Sequence, residues 1–185
     1  VLNASTDREA TVYWAKVAAS HHDLALDLLL DMVMNPTMVP EEIERERGVI
    51  IEELSSTYDQ PDALVDLLID GVLWPGHPMG RDIGGNRDSV RAIGRTELLE
   101  YHAKWYVPSN LVVAVAGDID HERVVDRTSH FVGTWSTSQL NPPEKPESLT
   151  LVEPMSRVVL ERRRTDQAHL SMAFHGVSRF HDKRH

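Results

Sequence analysis

Ile43-Glu44-Arg45-Glu46-Arg47-Gly48-Val49-Ile50-Ile51-Glu52-Glu53-Leu54 is the stretch on which the reading turns. A helical residue turns about 100° and rises about 1.5 Å, so seven steps come to about 700°. Glu46 and Glu53 therefore lie within about 20° of one another and roughly 10.5 Å apart along the axis. Ile43, Ile50 and Leu54 flank this line on one side and Val49 on the other. Periodicity places both carboxylates within the apolar arc, while Glu52 points well away. A buried carboxylate must be paired, protonated or bound to a metal, so one reading is that one or both serve a cation. The other is that the helix edge is exposed and these are ordinary surface glutamates in a segment rich in them. Gly48 sits mid-helix, where it costs roughly 1 kcal/mol relative to Ala. Either a neighbouring element comes close there or the position is exposed and tolerant.

Working outward, Pro40 suits a first helical position and Glu41 and Glu42 suit the positive end of the dipole. The spacing predicts a helix from Pro40 to about Tyr58. Before it, Ser20 reads as an N-cap, with Asp23 in the first turn of a helix carrying Leu24, Leu28, Leu29 and Met32, and Asn35-Pro36 stops it. Asn3 to Val17 reads as extended. Downstream, Gln60-Pro61-Asp62 breaks the helix and Ala63 to Trp74 forms another. Residues 75–86, with two Pro and four Gly, are a loop. Arg87–Ile93 and Thr96–Tyr106 read as helices. Leu111–Gly117 is a continuous apolar run of strand length, predicted to be buried on both faces and, with Tyr13-Trp14, to be core. Asp118 to Phe131 returns as a helix. Strands, a helical block, a strand and a helix predict an α+β layer sandwich.

Ser136 to Pro154 holds Pro142, Pro143, Pro146 and Pro154. It reads as a linker, 136–154, between a domain over 1–135 and the start of a second over 155–185. In the second, Arg157–Arg163 and Ala168–Phe174 read as strands. Both chain ends read as cuts in a longer polypeptide. Lys and Arg total 19 against 29 Asp and Glu, a net charge of −10. That surface repels phosphate backbones, so no nucleic-acid partner is expected. No apolar run approaches the roughly 20 residues of a membrane span, so no membrane partner is expected either. Cysteine is absent, which excludes disulfides, thiolate metal sites and a Cys nucleophile and fits a reducing compartment.

Four segments carry a resemblance. Leu2–Ala15 resembles the strand that follows the zinc motif in the pitrilysin/insulinase (M16) class of metallopeptidases, which includes the mitochondrial processing peptidase. Ile43–Glu53 resembles that family's glutamate helix. The loop Gly76-His77-Pro78-Met79-Gly80-Arg81-Asp82-Ile83-Gly84-Gly85 also matches, and so does Tyr106–Ile119. The resemblance runs in order along nearly the whole chain and is closest to bacterial processing-peptidase-like members. It implies a ferredoxin-like α/β layer sandwich, partial here, with the first strands of a second similar domain, and a cytoplasmic setting.

In that family an inverted motif, His-x-x-Glu-His, supplies two zinc ligands and a general base. A downstream Glu is the third ligand, and by motif position the resemblance makes it Glu53. Glu46 stands at the other fixed glutamate position, orienting the site. Asn3, Ala4 and Ser5 match the edge strand on which a peptide substrate adds as a further strand, although Val1–Ser5 also reads as a frayed terminus. A second homologous domain or subunit is implied to close over the site. No His-x-x-Glu-His occurs here; it is expected upstream of Val1. His21-His22 has the wrong spacing, and His181 and His185 lack a Glu in the required place. His77 and His102 read as structural or surface residues. With one ligand of three and no base, the chain is expected neither to retain Zn²⁺ nor to cleave peptides alone.

The implied parent is a zinc metalloendopeptidase acting on peptides or on unfolded, presequence-like segments. The acidic surface either favours such basic peptides or serves solubility. One alternative is a non-catalytic partner or scaffold subunit of a processing-peptidase-like complex. Another is a small acidic binding module unrelated to peptidases, which a solvent-exposed Glu53 would favour.

Overall fold

The computed structural model describes residues 1–133, 135, 158–174, 176–178 and 180–183. The chain divides into two compact units: Val1–Arg45 with Ala92–Lys145, and Glu46–Arg91 with Pro146–His185. The linker expected at 136–154 lies outside the described residues, as does Arg157.

The first unit opens with an antiparallel hairpin, β1 (Leu2–Thr6) and β2 (Thr11–Ala15), in the register Leu2↔Ala15 to Thr6↔Thr11. Its turn is held by Asp7, whose Oδ1 accepts the N–H groups of Glu9 (2.7 Å) and Ala10 (2.8 Å). Those donors stabilise the carboxylate and hold Asp7 below the usual carboxylate range. Side chains alternate across the pleat, so Tyr13 and Ala15 turn to one face and Val12 and Trp14 to the other. Only the first pair is half-buried; Trp14 is 41% exposed. Trp14 is therefore not core, contrary to expectation, because neighbours in a strand cannot share one face.

Helix α1 (His22–Met34) buries Leu26, Leu30 and Val33. These positions, at i, i+4 and i+7, form one stripe. Of the stripe expected from the sequence, Leu24, Leu28 and Met32 are exposed and only Leu29 is half-buried. This helix is apolar on several sides, so periodicity alone does not choose between two stripes. Ser20 lies in a short 3-10 turn, Ala19–His21, and the helix has no side-chain cap. Helices α5 (Arg95–Trp105) and α6 (His121–Gly133) complete the unit. His102 of α5 donates from Nε2 to the Val33 carbonyl at 2.7 Å and stacks on Tyr106 with centroids 4.7 Å apart. Arg123 of α6 pairs with Asp23.

Tyr106 and Tyr13 share a hydroxyl–hydroxyl hydrogen bond of 3.0 Å, which seats the hairpin on the α5 end. Burial and that bond push the Tyr106 phenol up to about 12. A raised folded value means stability present below the ordinary phenol value near 10 and lost as pH climbs from there towards 12. Absorbance titration at 295 nm is expected to show one phenol ionising near pH 12. In Tyr13→Phe that ionisation should move down; an unmoved late step would refute the contact.

Helix α2 (Pro40–Asp59) runs through the division between units. The second unit holds its C-terminal part, α3 (Pro61–Leu73) and α4 (Arg87–Ala92), with Leu54, Leu64 and Val90 buried. Gly80 lies against the end of α3: a Cβ there would meet the Trp74 carbonyl oxygen well inside contact distance and the Asp70 oxygen at 3.2 Å. Gly48 has nothing within 4 Å of a Cβ, so no close approach explains it in this chain.

Three expected strands are not found among the described residues. Residues 111–116 join no ladder among the described residues, with Val112 89% exposed. Residues 158–163 and 168–174 likewise join no ladder, and Leu170, Met172 and Phe174 face outward. A run can be apolar and β-prone, but a strand exists only through the neighbour whose N–H and C=O it meets.

Candidate metal centre

The two glutamates take their direction from the neighbouring edge of α2. Arg47 and Leu54 each follow a glutamate by one residue, so they form a parallel line turned by about 100°. That line is fixed to the second unit: Arg47 donates to the Val90 carbonyl, and buried Leu54 lies against Gly84. Ser55 accepts from Arg87 Nη2 at 2.7 Å and donates to the Ile51 carbonyl at 2.6 Å. Ile43 and Ile50 are half-buried, and Val49, beyond the glutamates, is 43% exposed.

Glu46 and Glu53 are both exposed. The expectation that periodicity turns them inward is corrected for this chain: the covered arc is centred on Leu54, and the carboxylates lie past its rim. Water can solvate both, so neither demands a cation to remain charged. Their alignment on one helix line stands, because it follows from helix geometry. Among the described residues no three His, Asp or Glu side chains come close enough to hold a metal ion. The residues present therefore do not make up a zinc site. They offer one hard oxygen donor with a second carboxylate two turns away.

Four of the histidines weighed in the sequence make hydrogen bonds within the chain. His77 accepts the Met79 N–H at Nδ1 (3.1 Å) beside the Trp74 ring, and His102 is tied as described. His22 donates to the Ala19 carbonyl at 2.7 Å. His181 accepts the Lys183 N–H at 3.0 Å, and His185 lies outside the described residues.

Asn3, Ala4 and Ser5 stand on β1, in a two-stranded sheet whose other edge is open among the described residues. Val1 and Lys16 exchange both backbone bonds, at 2.9 and 2.8 Å. By alternation Asn3 and Ser5 also point their backbone groups into the hairpin, while Leu2, Ala4 and Thr6 present theirs to the open edge. Of the three expected residues only Ala4 offers backbone groups outward, and its N–H already bonds to Asn3 Oδ1 at 2.8 Å. The sequence reading missed the outward roles of Leu2 and Thr6; the register, once known, assigns them. It also missed Arg47 and Arg87, whose partners are 43 and 32 positions away and leave no local signal.

The family model described as insulinase (peptidase family M16) matches residues 1–87, and that described as peptidase M16 inactive domain matches 92–185. The chain belongs to peptidase family M16. It is 37% identical over 172 residues to an uncharacterized zinc protease of Mycobacterium leprae, covering 91% of this chain and 38% of the relative. It is 34% identical over 181 residues to a probable mitochondrial-processing peptidase subunit beta of Arabidopsis thaliana, covering 96% and 33%. A crystal structure of a putative M16-like peptidase from Alicyclobacillus acidocaldarius superposes with a TM-score of 0.68 at 27% identity, covering 75% and 33%. The chain thus spans about two-fifths or less of these relatives. The α+β reading holds: the described part is helix-rich, with a small antiparallel sheet. Glu53 is exposed, as an unrelated acidic binding module would require, but family membership sets that reading aside. No helix among the described residues is long and apolar enough to cross a membrane.

Proposed function

We propose that the complete protein carrying this sequence is a zinc-dependent metalloendopeptidase acting on extended, presequence-like segments, and that residues 1–185 alone are inactive. Membership of M16 along both halves of the chain carries this reading. In it Glu53 supplies one anionic oxygen ligand and Glu46, on the same helix line, orients the site. The exposure of both supports a site completed by residues that the described chain does not contain. Zinc, when bound, polarises a carbonyl and lowers the pKa of bound water. The chain's own part is to present the two carboxylates on a helix edge that Arg47, Leu54 and Ser55 hold in place. The open edge of β1 takes the peptide backbone through Leu2, Ala4 and Thr6, once Asn3 Oδ1 releases the Ala4 N–H. A second homologous domain or subunit closes over the peptide, in a cytoplasmic enzyme.

The test is the zinc content and peptide cleavage of the complete protein before and after chelation. Activity lost with the metal and restored by Zn²⁺ supports the reading; cleavage indifferent to chelation overturns it. A second reading, a non-catalytic partner subunit, is favoured by the match of residues 92–185 to a domain described as inactive. Sequence upstream of Val1 separates the two: an intact His-x-x-Glu-His supports the enzyme, and substituted ligands support the partner subunit.

A further inference from the structure

Helix α2 ends on carbonyls that its own ladder does not serve. A helix leaves its last four carbonyls without intrahelical donors. Here Gln60 serves two of them: its Nε2 donates to the Ser56 carbonyl and its N–H to the Thr57 carbonyl, both at 3.2 Å. The next residue, Pro61, has no N–H and already opens α3. The Tyr58 carbonyl takes its hydrogen bond from a side chain over one hundred positions away, the guanidinium of Arg163. Arg163 Nε is also 3.6 Å from Glu161, and its side chain is 33% exposed. A cation at a helix C-terminus is favoured by the dipole as well as by the hydrogen bond. Both partners belong to the second unit.

We propose that Arg163 is a positioning residue for the glutamate helix. Its guanidinium donates to a carbonyl beyond the helix's own ladder, and so fixes the last turn of α2, five residues beyond Glu53. The part of the chain matched to the inactive domain thereby sets the end of the helix that carries Glu46 and Glu53. The link to Glu53 rests on the function proposed above; the tie itself does not.

The experiment compares the complete protein with its Arg163→Ala and Arg163→Lys variants. Amide hydrogen exchange is followed after chelation, so that the tie is read without metal. In Arg163→Ala, exchange over residues 56–60 is expected to rise about two- to fivefold while α3 and α5 hold their protection. Arg163→Lys, which keeps the charge, should recover part of it. Unchanged exchange in Arg163→Ala, or an equal rise in every helix, overturns the tie. Zinc dissociation is then measured on the same variants beside Glu53→Gln. Faster release from Arg163→Ala supports positioning of Glu53, and unchanged release overturns it. Full zinc retention in Glu53→Gln defeats the metal reading instead, leaving the exchange result to decide the tie.

Discussion

In the complete protein, Glu53→Gln is expected to lose its zinc and its peptidase activity together while folding normally. The amide has nearly the size and helix propensity of the carboxylate, and the side chain is exposed in this chain, so neither packing nor the helix is disturbed. What changes is the donor: a neutral amide oxygen replaces an anionic one at a divalent cation. Loss of a ligand should exceed the roughly 10- to 100-fold penalty typical of removing an outer partner, which is the penalty expected for Glu46→Gln. Metal content after gel filtration, read beside a thermal melt, checks both halves of the statement. Full occupancy in Glu53→Gln would remove that residue from the site. An unfolded variant would show that the carboxylate serves the fold.

The largest stability effect is expected at Gly80. A methyl group there would press on the Trp74 and Asp70 carbonyl oxygens, which are backbone atoms at the end of α3 and cannot rotate away. Overpacking of this kind costs about 1–3 kcal/mol. In a domain of this size each kcal/mol lowers Tm by roughly 2–4 °C. Gly48→Ala is the matched control, since the same methyl group meets open space there. It should be neutral or stabilise by up to about 1 kcal/mol through helix propensity. If Gly80→Ala melts with the parent, the close approach of the 76–85 loop to α3 is wrong.

Local chemistry made much of this protein legible before any coordinates. Pro40 with Glu41 and Glu42, and the helix-breaking Gln60-Pro61, bounded α2 to within a residue or two, because caps and breakers act over one turn. The seven-residue spacing aligned Glu46 with Glu53 for the same reason. Burial was less legible. In α1 two apolar stripes compete, and contact with the rest of its unit selects Leu26, Leu30 and Val33 over Leu24, Leu28 and Met32. Leu111–Gly117 has the composition of a buried strand, yet residues 112–117 are exposed.

The candidate site divides in the same manner. Family motifs, read residue by residue, named Glu46, Glu53 and the Asn3–Ser5 strand. They did not say that hairpin register turns Leu2, Ala4 and Thr6, and not Asn3 and Ser5, to the open edge.

Sequence by itself determined the helices, the ends of α2, the common line of the two glutamates and the family, since each depends on residues within a turn or on a motif read in order. Tertiary structure alone decided which faces are covered, where Arg47, Arg87 and Arg163 find their carbonyl and hydroxyl partners, and which side of β1 is free. Those outcomes depend on groups far apart in the chain meeting in space, and hydrogen bonds and burial between distant residues leave no periodic trace in the order of amino acids.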